Sequence, residues 1–263
     1  MKTPIIPMIL AAAFPNFLYA EIKGEEGTPQ LPGVPWHVHD AKRPQPPHVA
    51  AVCVVVPPPA DATVLFNGKN LDAWQTGDGA PTFQLKDGVM VADKKNIETK
   101  EQFGGAVQLH LEWRLPAGRE VNGQKGGNSG VFFMGIYEIQ ILQSHNNPTY
   151  PDGTAGAIYG QYPPLVNATS VQGEWQSYDI TFEPPIYQDG KFAKPARVTV
   201  IHNGVVVQNA TEFHGPTMWR KLASYPTKHP QKGPIGLQFH GDPLEFRNIW
   251  IRPLGERDHQ VEK

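Results

Sequence analysis

From residue 61 onward the sequence alternates: apolar and polar residues exchange places with a period of two, and the runs are cut by Asn67-Gly68, Asp87-Gly88 and Asn203-Gly204. Asn-Gly and Asp-Gly pairs supply the two left-handed residues that a tight hairpin needs, so this punctuation specifies antiparallel strands joined by short turns. Val64-Leu65-Phe66 leads into the first turn, and Phe83-Gln84-Leu85 and Val89-Met90-Val91 flank the second. Further strand-like runs cover 107–115, 130–142, 177–182, 197–202, 205–208, 235–240 and 246–251. About ten or eleven short strands separated by turn signals predict an all-β antiparallel sandwich or barrel. No segment carries the 3.6-residue period of a long helix.

Composition agrees. The 263 residues include 26 Gly and 27 Pro, about a fifth of the chain against a usual share of about an eighth, which argues against an all-helical protein. A hydrophobic share of 40% with 18% charged residues excludes wholesale disorder. A net charge of −2 provides no broad basic face for a phosphate backbone, so nucleic acid is not an expected partner.

Residues 1–20 combine Lys2, an apolar stretch from Ile5 to Phe14 and the small residue Ala20, the order of a secretory signal. Pro7 and Pro15 interrupt the apolar stretch well below the roughly 20 residues that span a bilayer, so no membrane span is expected. The expectation is an exported protein, periplasmic or extracellular. Cys53 is the only cysteine, which leaves no internal disulfide and makes packing the source of stability. Residues 21–60 hold Pro29, Pro32, Pro35, Pro44, Pro46, Pro47 and Pro57-Pro58-Pro59, and form an extended leader to a domain over 61–254, with a polar tail at 255–263. Within the leader, Trp36-His37-Val38-His39-Asp40 is aromatic enough to dock, while two His at this spacing are a weak metal signal.

Side-chain parity along the strands separates two faces. His110, Glu112 and Arg114 oppose Leu111, Trp113 and Leu115; Glu138 and Gln140 oppose Tyr137, Ile139 and Ile141; Gln238 and His240 oppose Leu237 and Phe239. Solvated faces are usually rich in Lys, Thr and Ser. The recurrence of Glu, Gln, Arg and His predicts instead one polar hollow shared by three strands. The loops 126–130, 146–153 and 156–162 add Asn128, Tyr159 and Gln161, groups suited to sugar hydroxyls and pyranose faces. Trp175, Trp219 and Trp250 are expected in the core rather than as sugar platforms.

An ordered set of segments resembles one family: Leu65-Phe66-Asn67-Gly68, Leu71-Asp72-Ala73-Trp74, Leu111-Glu112-Trp113-Arg114, Gly127-Asn128-Ser129-Gly130-Val131, Tyr137-Glu138-Ile139-Gln140-Ile141-Leu142, Gly156-Ala157-Ile158-Tyr159-Gly160, Gly173-Glu174-Trp175-Gln176 and Phe246-Arg247-Asn248-Ile249-Trp250. Together, from about Val64 to Leu254, they are similar to the 3-keto-disaccharide hydrolase family. The resemblance implies a concanavalin A-like jelly-roll sandwich. The leader's Trp-His-Val-His-Asp and Arg43-Pro44-Gln45-Pro46-Pro47 resemble those of secreted bacterial members. Family members often carry Asp where Gln143 and Phe239 stand here.

Related glycosidases place Glu-x-Asp-x-x-Glu on the strand that here reads Glu138-Ile139-Gln140-Ile141-Leu142-Gln143, so one carboxylate remains. Retaining hydrolysis needs two carboxylates about 5 Å apart, which only Glu112 or Asp152 would complete. A 3-keto sugar requires less: the ketone acidifies the C2 proton, one base removes it, and the C1 substituent leaves by β-elimination. On this basis Glu138, His240 and Glu112 are the candidate catalytic groups, and Arg114, Asn128, Gln140, Tyr159, Gln161 and Gln238 the candidate sugar contacts. The family suggests a divalent metal acting as Lewis acid, with Glu138 and His240 as candidate ligands. Two rival functions stay open: a non-catalytic carbohydrate-binding module, and a structural domain of a cell-surface assembly.

Overall fold

The computed structural model describes residues 22–255. The signal-like segment 1–20 and the tail beyond residue 255 lie outside the described residues.

Fifteen strands occur among the described residues. They begin with β1 (Thr63–Phe66), β2 (Trp74–Gln75), β3 (Gln84–Lys86), β4 (Val89–Val91) and β5 (Ile97–Thr99). The middle of the chain forms β6 (Val107–Arg114), β7 (Ser129–Phe133), β8 (Tyr137–Ile141), β9 (Gln176–Glu183), β10 (Ile186–Gln188) and β11 (Lys191–Lys194). The last four are β12 (Arg197–His202), β13 (Val205–Glu212), β14 (Gly236–Leu237) and β15 (Glu245–Pro253). One sheet of eight strands runs β13-β12-β9-β6-β15-β4-β3, with β1 also on β15, and a second of five runs β2-β5-β14-β7-β8. All these pairings are antiparallel, which makes an antiparallel β-sandwich with a small β10-β11 ribbon outside it.

Alternation builds the core. Leu109, Leu111 and Trp113 of β6 and Val131, Ile139 and Leu237 of the smaller sheet are fully buried in one continuous cluster. Phe133 of β7 and Phe182 of β9 stack across the two layers at 4.7 Å, and the Tyr178 hydroxyl donates to the Gln140 carbonyl at 2.7 Å. Truncating one such aromatic to Ala costs about 3–5 kcal/mol, which is ample to specify the register.

Three sequence expectations change. The run 130–142 is two strands: Met134 and Gly135 adopt φ of 54° and 71°, and the Ile136 amide donates to the Phe133 carbonyl at 3.1 Å. The pair closes a hairpin in the same left-handed conformation that Asn-Gly turns use, without their signature. The run 235–240 keeps only Gly236–Leu237 as strand.

The third change concerns β6. Both its faces are buried, because the leader crosses the outside of the large sheet. The Val54 amide donates to Ser177 Oγ at 2.9 Å, and the Val56 carbonyl accepts from Asn248 Nδ2 and Trp250 Nε1, each at 3.0 Å. Earlier leader residues turn to the other side, where Arg43 donates to the Gln161 carbonyl at 3.0 Å. No helix among the described residues is long and apolar enough to cross a membrane.

Candidate active site

The outward face of β14-β7-β8 forms the floor of a cleft of about 590 Å³. Register places the floor residues. Gln140 lies opposite Gly130, whose carbonyl accepts from the Gln238 amide at 3.1 Å, so two amides flank a glycine. Glu138 lies opposite Phe132, which pairs in turn with Gly236. Residues facing each other across a ladder share one face of the sheet, so all of these point away from the core.

Gly130 is what lets Glu138 occupy this floor. A β-carbon at position 130 would overlap Glu138 Oε1 and lie 2.8 Å from its Cγ. The carboxyl is consequently buried, 6% exposed, and desolvation pushes its pKa up from 4.5 to about 8. Burial penalises the charged form and, with no cation against this group, that penalty stands uncompensated.

Beside it runs a chain of oriented amides. Gln140 Nε2 donates to Asn128 Oδ1 at 3.1 Å; Asn128 Nδ2 donates to Gln124 Oε1 at 3.1 Å; Gln124 Nε2 donates to Thr149 Oγ1 and the Gly153 carbonyl, both at 3.0 Å. Donation in this direction leaves Gln140 Oε1 buried with no partner. An unsatisfied acceptor in a polar cleft is a built receptor for a hydroxyl.

The walls are aromatic and come from loops. The hydroxyls of Tyr150 and Tyr159 approach to 3.2 Å, and burial raises both phenols, so they remain protonated donors. Thr217 accepts from the Glu138 amide at 3.1 Å and brings in Trp219, which is 60% exposed at the rim. Arg220 lies 5.4 Å over the Trp219 ring and 3.3 Å from Glu25, a leader residue that also lines the cleft. His240 is exposed and also lines the cleft.

Of the residues expected from sequence, Glu138, His240, Asn128, Gln140, Tyr159 and Gln238 line this one cleft. Gln161 does not: its amide is spent on the Gly215 carbonyl at 3.0 Å and the His214 amide at 2.7 Å. Glu112 and Arg114 do not either, because β6 belongs to the other sheet. Glu112 is sealed under the leader and accepts from Arg247 at 2.6 Å and Asn248 at 2.8 Å. Burial alone would raise its pKa, but His110, Asn248 and Arg247 outweigh it and hold the carboxyl at about 2. Arg114 pairs with Glu245 at 2.6 Å and stacks 4.5 Å from Trp175. Parity separated the faces of β6 and β8, and the error was to let β6 adjoin the other two runs in one hollow. Gln143, too, is committed, its amide donating to the Ser170 carbonyl at 2.9 Å.

Sequence reasoning singled out the 146–153 loop without naming Tyr150 as a contact, and it missed Gln124, Thr217, Glu25 and the rim position of Trp219. Trp250 is core, and Trp175 is half-buried between Arg114 and Arg247.

As a metal centre the cleft falls short. No group of three or more His, Cys, Asp or Glu side chains is placed to hold an ion among the described residues. Glu138 and His240 would have to be completed by amide oxygens, so no chemical step is derived through a metal.

Known proteins align with this architecture. A curated relative, 3-keto-disaccharide hydrolase of Bacteroides thetaiotaomicron, is 25% identical over 237 residues, covering 74% of this chain and 69% of its own. A solved protein of Parabacteroides distasonis, described as a candidate glycosyl hydrolase, is 42% identical with a TM-score of 0.72, covering 80% of this chain and 93% of its own. A second from the same organism, likewise described, is 28% identical with a TM-score of 0.52, covering 73% and 99%. The model of the 3-keto-alpha-glucoside-1,2-lyase-like domain matches residues 61–252, and the chain belongs to that family.

Proposed function

We propose that this protein cleaves glycosides oxidised at C3 by base-assisted β-elimination followed by hydration. The observation that supports this most is the solitary Glu138. The sheet floor offers one carboxyl, poised at about 8 and flanked by amides. Glu112 lies in the other sheet, Asp152 is fully buried behind the wall, and Glu25 is tied to Arg220. Among the described residues no second carboxyl joins Glu138 on the sheet floor, whereas double-displacement hydrolysis requires a pair of free carboxylates about 5 Å apart.

With a 3-keto sugar in the cleft, Glu138 as carboxylate takes the C2 proton, and the C2–H electron pair becomes the C2=C3 bond of an enolate. The C3 oxygen accepts from the Tyr150 and Tyr159 hydroxyls, donors already held in place, which bind the ketone on arrival and keep both hydrogen bonds through the enolate. Collapse of the enolate forms C1=C2 and expels the C1 oxygen with its bonding pair. His240 on the rim supplies the proton to that leaving group. Water then adds at C1, giving up one proton to His240, and Glu138, its proton exchanged with solvent through the cleft it lines, protonates C2. The unpaired Gln140 Oε1 accepts a ring hydroxyl, and Trp219 covers an apolar sugar face. The N-terminal segment 1–20 supports export to the periplasm or beyond.

Incubation with a 3-keto disaccharide in D₂O tests this. Elimination and hydration release the two monosaccharides with deuterium at C2 of the 3-keto product; direct displacement leaves protium there. No product under any metal condition, together with a sugar-induced rise in melting temperature, would instead identify a binding module.

A further inference from the structure

The family match begins at residue 61, yet the cleft is lined from outside it. Residues 24–41 fold back as a loop, with the Glu25 amide donating to the His39 carbonyl at 3.0 Å and the Val38 amide to the Pro29 carbonyl at 3.0 Å. This loop delivers His39 to the back of the cleft wall. The side chain is fully buried, and its backbone takes a left-handed φ of 59°. Asp152, itself fully buried, accepts from the His39 amide at 2.9 Å and lies 3.4 Å from Nδ1.

The imidazole packs on both wall tyrosines, with ring centroids 4.3 Å from Tyr150 and 4.9 Å from Tyr159. Its Nε2 has no partner. Filling space alone would be served better by an apolar ring, which leaves no orphaned nitrogen. What the imidazole adds is orientation: Asp152 fixes the ring plane, and the ring plane fixes the two phenols.

We propose that the leader is part of the sugar site, with His39, held by Asp152, as a positioning residue that aims the Tyr150 and Tyr159 hydroxyls at the substrate. The proposal rests on the sugar-cleft reading above. It extends the site beyond the family domain and assigns the His-rich leader motif a task other than docking or metal binding.

His39→Asn in the full-length protein is the sharpest probe. Asn tolerates the left-handed backbone and keeps an amide for Asp152, so what it removes is the ring against the tyrosines. With a 3-keto disaccharide as substrate, KM rises about tenfold while kcat stays within about twofold, the pattern of lost binding contacts. Asp152→Asn, which leaves the ring and loosens its holder, raises KM in the same direction. In a Tyr150→Phe/Tyr159→Phe background, adding His39→Asn changes KM by less than about twofold, because the groups it aims are gone.

A purely architectural role would lower apparent kcat through loss of folded protein and leave KM unchanged. That result in both single variants, with an active wild type, overturns the proposal and leaves the sugar-cleft reading intact. If the wild type binds the disaccharide without turnover, Kd from tryptophan fluorescence replaces KM and the same comparison decides. If the wild type neither turns over nor binds the disaccharide, both inferences fall.

Discussion

Replacing Glu138 with Gln should make the protein more stable while removing its chemistry. Desolvation holds the native carboxyl at about 8, whereas in the unfolded chain it returns to about 4.5. The sign follows from proton binding. Between those two values the unfolded state has lost a proton that the native state keeps, so stability is full below pH 4.5 and declines as pH rises towards 8. At pH 7 the gap corresponds to about 3 kcal/mol favouring the unfolded state. Gln keeps the shape and cannot ionise, so it restores most of that energy, less about 1 kcal/mol for a buried amide imperfectly bonded. A gain of about 2 kcal/mol raises the melting temperature by about 4–8 °C in a domain of this size. Urea unfolding of both proteins at half-unit steps from pH 4.5 to 8.5 measures it. The variant should be about 1 kcal/mol less stable near pH 4.5, cross the wild type as pH rises and lead it by about 2 kcal/mol at pH 7, while turnover of a 3-keto glucoside is lost in the variant. Parallel stability curves across the range would refute the desolvated-carboxyl account, whatever happened to activity.

Four further outcomes follow from the same geometry. Gly130→Ala, at a backbone conformation that any residue can adopt, pushes the Glu138 carboxyl aside; overpacking costs about 1–3 kcal/mol and a 1 Å displacement about a hundredfold in kcat, both readable from one denaturation and one rate series. Turnover in the wild type should rise along a limb with apparent pKa about 8, since the base must be ionised, and a limb near 4.5 would assign the proton transfer elsewhere. Trp219→Ala should leave stability within about 0.5 kcal/mol but raise KM roughly tenfold if about 50 Å² of apolar contact with the sugar is lost, to be checked by steady-state kinetics. Glu112→Gln should cost about 2–3 kcal/mol by stranding Arg247 and His110, with kcat within about twofold; a large kcat effect would return Glu112 to the site.

The sandwich was legible because alternation and turn chemistry are local. Val64-Leu65-Phe66 and the Asn203-Gly204 hairpin depend on neighbours within a few residues, and parity assigned Glu138 and Gln140 away from the core. Which strands share a sheet is a non-local matter: β6 carries the same polar pattern as β8, and only the topology reveals that Glu112 faces the leader while Glu138 faces the cleft. The cleft walls were less legible still. Tyr150, Thr217 and Trp219 come from irregular loops with no period to read, and Glu25 arrives from more than a hundred residues away in sequence. The Met134-Gly135 turn escaped because Met is a poor indicator of left-handed backbone, although the Gly beside it was visible.

The leader's path has a practical corollary. Glu25 borders the substrate entrance, and Ile22 lies three residues upstream of it, a reach of about 10 Å. An affinity handle fused directly ahead of that point is tethered beside the cleft. Preparations intended for kinetics are better grasped by their far terminus.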